Sequence, residues 1–273
     1  MTPSRPHARG AVSLPRAISR AGTATRAEAE RLVLAGRVTV GGQVARDPRL
    51  RVVPGRDRIE VDGAAIGAPP GPGAEILALN KPRGVLVTRS DPGGRPTAFD
   101  LLPRDRGLLR FVGRLDATSA GLLLATADTR LAAALEDPAR GVPRVYRAKV
   151  RPRLDDARRE AMLAGVVIDG KRARPAAIDL QSHGPRSSWV RFTLREGRNR
   201  EVRRLCAAAG LEVEHLVRVS FGPVRLGDLE PGRWRVLGEE EARALRAQAA
   251  PCDGPPRAPR IPGSASRGRT RDG

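Results

Sequence analysis

Cysteine and histidine are scarce in this chain of 273 residues. It contains two cysteines, Cys206 and Cys252, and three histidines that share no ligand spacing. Two cysteines so far apart argue against a disulfide scaffold and against a cysteine-based zinc site. We therefore expect no metal cofactor and a chain suited to a reducing compartment.

Long apolar segments are also missing. The longest tidy apolar run, Gly121–Ala125, is far too short to cross a bilayer, which takes about 20 residues. The first thirteen residues contain arginine, proline and histidine but no apolar segment of the secretory type. These absences predict a soluble, cytoplasmic protein without membrane contact.

Aromatic residues make up only 3% of the chain, and Tyr146 is its single tyrosine. An open surface that binds single strands by base stacking normally carries more aromatic side chains. No glycine-rich phosphate loop follows any predicted strand, which argues against a bound nucleotide. We expect no nucleotide cofactor, and an RNA or DNA contact made mainly through phosphates.

Basic residues, by contrast, are abundant. The chain has 50 Lys and Arg residues against 30 Asp and Glu residues, a formal net charge of +20. All of the basic residues except Lys81, Lys149 and Lys171 are arginines. A GC-rich genome by itself favours arginine, yet guanidinium groups suit bidentate contacts with phosphate whatever their origin. The charge predicts a polyanionic partner, of which nucleic acid is the usual one.

Proline- and glycine-rich stretches divide the chain. Residues 1–13 and 250–273 are predicted to be disordered tails, the second of them basic. Residues 68–74 are predicted to be a linker, because their prolines and glycines cannot continue a helix or a central strand. Two units remain, at 14–67 and 75–249, each large enough to be a domain.

The small unit begins with two short helical segments. The first is predicted at residues 14–21, and the second follows a capping box at residues 25–28. Arg26 and Arg31 fall outside the apolar face of the second helix. The sequence Ala-Gly-Arg-Val-Thr-Val-Gly-Gly at 35–42 resembles the S4-like RNA-binding domain of ribosomal proteins. This resemblance implies an RNA-binding unit in which Arg26 and Arg31 are candidate RNA contacts.

The large unit alternates short apolar runs with polar turns and is predicted to be an α+β domain. Its strand candidates outnumber its helix candidates, which favours a mixed, mainly antiparallel sheet over a doubly wound one. Strands are predicted at residues 76–79, 84–88, 122–126, 144–150, 176–180, 189–194 and 213–219, and helices at 130–136, 155–164, 199–209 and 239–248.

A glycine-flanked loop at residues 112–121 carries the most informative side chains of the large unit. Arg114 and Asp116 stand two apart in it, immediately before an apolar strand. Loops held by rigid strands commonly present catalytic side chains. Taken alone, however, Asp116 fits a turn-capping role better than a catalytic one. Other motifs have to decide between these interpretations.

Three further motifs accompany this loop. Residues 80–85 are Asn-Lys-Pro-Arg-Gly-Val, residues 144–150 are Arg-Val-Tyr-Arg-Ala-Lys-Val, and residues 195–205 are Arg-Glu-Gly-Arg-Asn-Arg-Glu-Val-Arg-Arg-Leu. With Gly-Arg-Leu-Asp at 113–116, they have the order and approximate spacing of the bacterial ribosomal RNA pseudouridine synthases of the RsuA/RluB type. The chain resembles this family from about Leu14 to Leu237, which leaves only the tails uncovered.

The resemblance implies an isomerase that acts on uridine. Such an enzyme breaks the bond from ribose to N1 of the uracil, turns the base and rejoins it through C5. Asp116 takes the role of nucleophile, acting either on the sugar or through abstraction and a glycal intermediate. Ser119 stands where the family usually has threonine, so a hydroxyl is kept. The reaction needs neither redox chemistry nor an energy source, so no cofactor is implied.

The resemblance also assigns two neighbours to the nucleophile. A carboxylate in a dry pocket loses its charge unless a cation lies close, and Arg203 is implied as that cation. Tyr146 is implied as the ring that stacks on the target uracil and takes part in proton transfer. Each residue also fits a plain structural role, Arg203 on a solvated basic face and Tyr146 as a half-buried strand residue.

The target base must leave its stack to reach Asp116, which costs a few kcal/mol. Arg114, beside the nucleophile, is the candidate that fills the vacated space or holds the flanking phosphate. Further candidate contacts with RNA phosphates, each of which could equally be a solvated surface charge, are Lys81, Arg198, Arg200 and Arg204.

We therefore predict a monomeric enzyme whose partner is ribosomal RNA, either free or in a pre-ribosomal particle. The alternative is a non-catalytic RNA-binding or ribosome-assembly factor on the same fold. Such a binder would be free to lose Asp116, Tyr146 and Arg203, and none of them is lost. A DNA-binding regulator is disfavoured, because no recognition helix or dimer motif is evident.

Overall fold

The computed structural model describes residues 10–67, 73–103 and 108–250. These residues form a small α+β unit followed by a large one, as predicted. The remaining residues, which include most of the predicted tails and linker, lie outside the described part. Within the described part, no helix is both long and apolar enough to span a membrane.

The small unit packs two helices on short strands around one apolar core. The core includes Leu14 and Ile18 from the first helix and Val33 from the second. Its first strand pairs with the fourth, so the unit begins two residues before the predicted boundary. The elements are β1 (Val12–Ser13), α1 (Leu14–Arg20), α2 (Arg26–Leu34), β2 (Val38–Val40), β3 (Gln43–Val44), β4 (Arg51–Val52), β5 (Ile59–Val61) and β6 (Ala64–Ala65).

The capping box predicted at the start of α2 is present. The Thr25 hydroxyl accepts a hydrogen bond from the Glu28 amide, and the Glu28 carboxylate accepts one from the Thr25 amide. These bonds satisfy two amides that have no partner within the helix. Arg26 and Arg31 of this helix are exposed.

The large unit contains the other elements in an order close to that predicted. They are β7 (Ile76–Lys81), β8 (Arg110–Phe111), β9 (Ala120–Thr126), α3 (Thr129–Glu136), β10 (Arg144–Arg151), α4 (Asp156–Ala164), β11 (Val166–Ile168), β12 (Lys171–Ala173), β13 (Ala177–His183), β14 (Ser188–Leu194), α5 (Glu201–Ala208), β15 (Glu212–Phe221), β16 (Val224–Arg225), β17 (Trp234–Val236) and α6 (Glu239–Gln248).

A nine-stranded sheet forms the centre of the large unit, in the order β13-β14-β10-β15-β9-β7-β17. The strands β8 and β16 pair with β9 and β15, respectively. The β15–β9 pair is parallel and the other pairs of the sheet are antiparallel. The expectation of a mixed, mainly antiparallel sheet is therefore confirmed.

Both faces of β7 and β9 are buried, because successive side chains of a strand point to opposite sides. Leu122 and Leu124 pack with α3 and α6, whereas Leu123 and Ala125 pack in a core that includes Val85 and Leu115. In the other half of the sheet, β10, β14 and β15 pack one face against α4 and α5. Residues of both halves line the cleft that contains Asp116.

The strand predicted at residues 84–88 is wrong. This segment forms turns, with one isolated bridge between Leu86 and Thr97. Gly84 has a φ of +84°, and its amide donates to the carbonyl of Ala117. Val85 is buried, so its apolar character serves packing of a loop rather than strand pairing.

Replacing Gly121 by alanine is expected to destabilise the large unit by about 3 kcal/mol or more, through backbone strain and displacement of β15. Gly121 has a φ of +104°, and an added Cβ would lie 2.3 Å from the Arg218 carbonyl oxygen. Urea unfolding followed by tryptophan fluorescence measures this, because both tryptophans lie in the large unit. Gly94→Ala is the matched control, with a φ of +69° and open space around the added Cβ. Equal losses in the two variants would contradict the role assigned to the close approach.

Candidate active site

The loop from Gly113 to Ser119 is held at several points. The Gly113 amide donates to Glu136 Oε1 at 3.1 Å, and the Gly84 amide donates to the Ala117 carbonyl at 2.8 Å. Within the loop, the Ser119 amide donates to the Asp116 carbonyl at 3.0 Å. Because its backbone is tied to both sides, the loop presents the Asp116 side chain in a defined position.

Asp116 lies in a cleft of about 610 Å³ on the large unit. Its side chain is 33% exposed, so the free protein does not enclose the carboxylate in the dry pocket that we expected. The Arg200 Nη1 atom lies 3.9 Å from Asp116 Oδ2. At this distance the two opposite charges attract each other.

Arg200 reaches Asp116 because of its position at the start of α5. It is the N-cap residue of this helix and adopts a left-handed conformation, with a φ of +51°. Its side chain is 49% exposed. The sequence pattern indicated Arg200 only as an RNA contact, and the structure makes it the ion-pair partner of Asp116.

Tyr146 lines the same cleft from β10. Its cross-strand neighbours are Phe192 on β14 and Arg218 on β15. The ring packs against two apolar cores, the one beneath α5 and the one that includes Val85 and Leu115. Tyr146 thus joins the two halves of the sheet at the cleft, as a flat apolar surface beside the Asp116 loop.

The guanidinium of Arg203 was expected to contact Asp116, but its hydrogen-bond partners are backbone carbonyls. Its Nη1 donates to the Val213 carbonyl at 2.8 Å and its Nη2 to the Thr118 carbonyl at 3.4 Å. Burial lowers the pKa of Arg203, and the charge of Asp116 acts in the opposite direction. Arg203 therefore connects α5 to β15 and to the Asp116 loop, and it acts on Asp116 as a nearby charge.

Lys81 was expected to contact RNA phosphates, and the structure contradicts this. The side chain is 0% exposed, and its Nζ donates to the carbonyls of Pro82 and Val85, each at 2.8 Å. Burial lowers the pKa of Lys81 to about 8, against the opposing charge of Asp116. Lys81 supports the turn beside the Asp116 loop and is closed to RNA.

Arg198 and Arg204 also have partners within the protein. Arg198 donates to the carbonyls of Ile168, Lys171 and Arg172 and pairs with Glu196. It therefore anchors the β11–β12 hairpin, although it also lines the cleft. Arg204 makes two hydrogen bonds to Asp169, at 2.6 and 2.8 Å. Phosphate contacts by these two residues would have to displace these bonds.

Arg114 is exposed and lines the cleft beside Asp116. Among the residues that the structure describes, no carboxylate pairs with its guanidinium in the way that Asp169 pairs with that of Arg204. Its assignment as the residue that replaces the flipped base stays a prediction, as do the RNA contacts assigned to Arg26 and Arg31.

Three buried charged residues that the sequence patterns did not single out also line the cleft, namely Arg144, Glu201 and Arg218. Burial lowers the pKa of Arg144, which donates to the carbonyls of Val142, Arg195 and Leu135. Burial raises the pKa of Glu201, whose Oε2 accepts from the Arg198 amide. Two signals were available: Arg144 and Glu201 lie within the motifs at 144–150 and 195–205, and Arg144 and Arg218 occupy buried positions of predicted strands.

Lys81→Met is expected to flatten the dependence of stability on pH above neutrality. Since the folded-state pKa of about 8 lies below the ordinary 10.5, the unfolded chain binds more protons between these values, and stability rises with pH. Methionine removes this contribution, of up to about 3 kcal/mol. Urea unfolding of both proteins from about pH 8 to pH 10 measures the difference. If the two proteins gave parallel curves of stability against pH, burial would not lower the pKa of Lys81.

Comparison with known proteins agrees with this fold. Residues 75–208 match the family described as RNA pseudouridylate synthase, and residues 12–57 match the S4 domain. A solved structure of a pseudouridylate synthase has a TM-score of 0.60 and 24% sequence identity, and the match covers 86% of this chain and 99% of that one. This likeness shows the fold.

Curated relatives match over most of their length. An uncharacterised RNA pseudouridine synthase of Mycobacterium leprae is 42% identical over 239 residues, which cover 86% of this chain and 93% of the relative. Ribosomal large subunit pseudouridine synthase B of Escherichia coli K12 is 40% identical over 238 residues, which cover 85% of this chain and 81% of the relative. The chain therefore belongs to the RNA pseudouridylate synthase family, a family of isomerases, and carries an S4 domain ahead of its synthase domain.

Proposed function

We propose that this protein converts one uridine of ribosomal RNA to pseudouridine, with Asp116 as the nucleophile. The observation that carries the proposal is that three side chains, Asp116, Arg200 and Tyr146, line one cleft. The likeness to ribosomal large subunit pseudouridine synthase B of Escherichia coli supports large-subunit RNA as the substrate. A bacterial enzyme with this substrate would act in the cytoplasm.

In the proposed reaction, the target uridine leaves its stack and its base enters the cleft. The Asp116 carboxylate starts the reaction, and the bond between ribose C1′ and uracil N1 breaks. The base turns, and a bond forms between C1′ and C5. C5 loses a proton and N1 gains one, so the product is an isomer of the substrate and no cofactor is consumed.

The surroundings of Asp116 fit this task. The Arg200 Nη1 atom lies 3.9 Å from Asp116 Oδ2 and attracts the carboxylate toward the cleft wall formed by the start of α5. Because the side chain is 33% exposed in the free protein, the bound RNA has to exclude water from it. Tyr146 offers the flat surface on which the everted uracil stacks.

The small unit would hold the RNA outside the cleft. Arg26 and Arg31 are exposed on α2, where they can contact phosphates without disturbing the core of the unit. Arg114, exposed at the mouth of the cleft, would occupy the space that the flipped base leaves. Phosphate contacts of this kind bind RNA with little dependence on its sequence.

The test is a map of the pseudouridines in ribosomal RNA from cells with and without this protein. We expect one site in the large-subunit RNA to lose its modification without the protein and to regain it when the protein is restored. The purified protein should convert the same uridine in a transcript of that RNA. Identical maps, together with tight binding of the transcript, would instead identify a non-catalytic RNA-binding factor.

A further inference from the structure

A second surface lies on the face of β10 and β14 that points away from the cleft. Successive residues of a strand alternate between its faces, so Tyr146 points to the cleft whereas Arg147 and Lys149 point the other way. Trp189 and Arg191 of β14 share this outer face, because they pair with Lys149 and Arg147. His215 of β15 also pairs with Lys149. We call these five residues the Trp189 face: Arg147, Lys149, Trp189, Arg191 and His215.

Trp189 has a setting unlike that of the other aromatic residues. The four phenylalanines, Tyr146 and Trp234 belong to the apolar cores of the described residues or pack against them, and Trp189 does neither. The Arg147 guanidinium carbon lies 4.4 Å from the centroid of the indole ring. The His215 ring is inclined by only 23° to the indole, with the centroids 6.3 Å apart. The face therefore presents flat groups that no core residue covers.

The charges of the Trp189 face are mainly positive. Arg147 and Arg191 are exposed, and neither forms an ion pair with a described carboxylate, although Asp179 is the cross-strand neighbour of Arg191. Lys149 differs, because it pairs with Glu214 at 2.9 Å. At the edge of the face, Arg83 donates to His215 Nδ1 at 3.2 Å and adds a further positive charge.

We propose that the Trp189 face binds an unpaired segment of the substrate RNA away from the target uridine. A base of this segment stacks on Trp189 beside the Arg147 guanidinium, and Arg191 and Arg83 contact its phosphates. Stacking on an aromatic ring or a guanidinium plane, combined with phosphate contacts, is the usual way in which proteins hold unpaired RNA. The inference rests on the proposed function, since it takes the substrate to be a large folded RNA.

The topology allows one RNA to contact both faces. The edge strand β13 is the immediate neighbour of β14, so the strand that carries Trp189 and Arg191 lies about 5 Å from the edge strand. A large folded RNA can reach around this edge while its target base is in the cleft, and a short hairpin that carries only the target cannot. The Trp189 face should therefore affect the affinity for long RNA and leave the chemical step unchanged.

The first test compares two double variants. Arg147→Gln with Arg191→Gln is expected to weaken binding of the transcribed large-subunit RNA about tenfold, and to lower the slope of log affinity against log salt by about 1.4. Arg225→Gln with Arg243→Gln, which removes two exposed charges elsewhere on the large unit, should leave both quantities nearly unchanged. Equal behaviour of the two double variants would overturn the proposal.

Tryptophan fluorescence provides a readout specific to Trp189. In a Trp234→Phe variant, Trp189 is the remaining tryptophan, and we expect the long RNA to quench its emission. A Trp189→Phe variant, which keeps Trp234, should show little quenching. If the quenching is the same in both, no base stacks on Trp189 and the proposal is wrong.

Measurements of kcat and KM distinguish failure of this proposal from failure of the proposed function. For Arg147→Gln with Arg191→Gln, KM for the long RNA should rise while kcat, and KM for a short target hairpin, stay unchanged. If the wild-type protein forms no pseudouridine but the binding and quenching results hold, the proposed function fails and the RNA contact stands. If the variant loses affinity only for assembled particles and not for free RNA, the occupant is a protein and the proposal is overturned.

Discussion

Asp116→Asn is expected to lower kcat by at least about a thousandfold, because the amide removes the nucleophile of the proposed reaction. Affinity for the RNA should stay within about tenfold of wild type, since phosphate contacts elsewhere dominate binding. Single-turnover conversion of a transcript that contains the target uridine measures the first effect, and a binding titration at fixed salt measures the second.

The neighbourhood of Asp116 makes asparagine a suitable replacement. The loop is held by backbone bonds at Gly113, Ala117 and Ser119, which the substitution leaves in place. Asp228→Asn, at an exposed position of the large unit, is a matched control with the same change of charge. A rate for Asp116→Asn close to that of the control would show that another group attacks the substrate.

Tyr146→Ala is expected to lower kcat/KM by about 5- to 150-fold. Stacking of a base on an aromatic ring contributes about 1–3 kcal/mol, and each 1.4 kcal/mol corresponds to a factor of ten. Single-turnover kinetics at low RNA concentration measures the loss. Because Tyr146 packs against two cores, the unfolding transition of the variant has to be recorded alongside its activity.

Tyr146→Phe is the matched control, because it keeps the ring and removes only the hydroxyl. If stacking is the main role, phenylalanine retains most of the activity that alanine loses. A large loss in both variants would assign the proton transfer to the phenol instead. Wild-type activity of Tyr146→Ala would leave Tyr146 as a structural residue of β10.

Local sequence signals predicted much of the fold. The capping box of α2 is a contact between residues three positions apart, so its chemistry is visible in the sequence. The helix α6 has the predicted bounds, Glu239–Gln248, because its acidic first turn and apolar spacing specify it without help from neighbours. The strands β10 and β14 alternate clearly between buried and exposed positions and were also predicted.

The segment at residues 84–88 shows where such signals fail. A short apolar run is compatible with a strand and with a loop that packs on a core. Here the buried Lys81 favours the loop over the strand. Its Nζ donates to the carbonyls of Pro82 and Val85, which brings the backbone into a turn. The sequence does not reveal that this lysine is enclosed, because burial of a charge depends on residues far away in the chain.

The backbone conformation of Arg200 decides which arginine pairs with Asp116. The sequence pattern predicted a helix from residue 199, which would place Arg200 within its first turn. In the structure, α5 begins at Glu201 and Arg200 precedes it with a φ of +51°, so Arg200 points to Asp116 while Arg203 binds carbonyls. Left-handed conformations of residues other than glycine are rare and have no clear sequence signal.

The amino-acid sequence alone determined the chemical class of this protein. The order of its four motifs, the lone tyrosine and the aspartate in a glycine-flanked loop identify the family, and local spacing predicts most helices and strands. Only the tertiary structure decided which arginine faces the carboxylate, that Lys81 is buried, and that Trp189 lies on an open face of the sheet. Those facts depend on contacts between residues that are distant in the sequence, and such contacts form only when the sheet assembles.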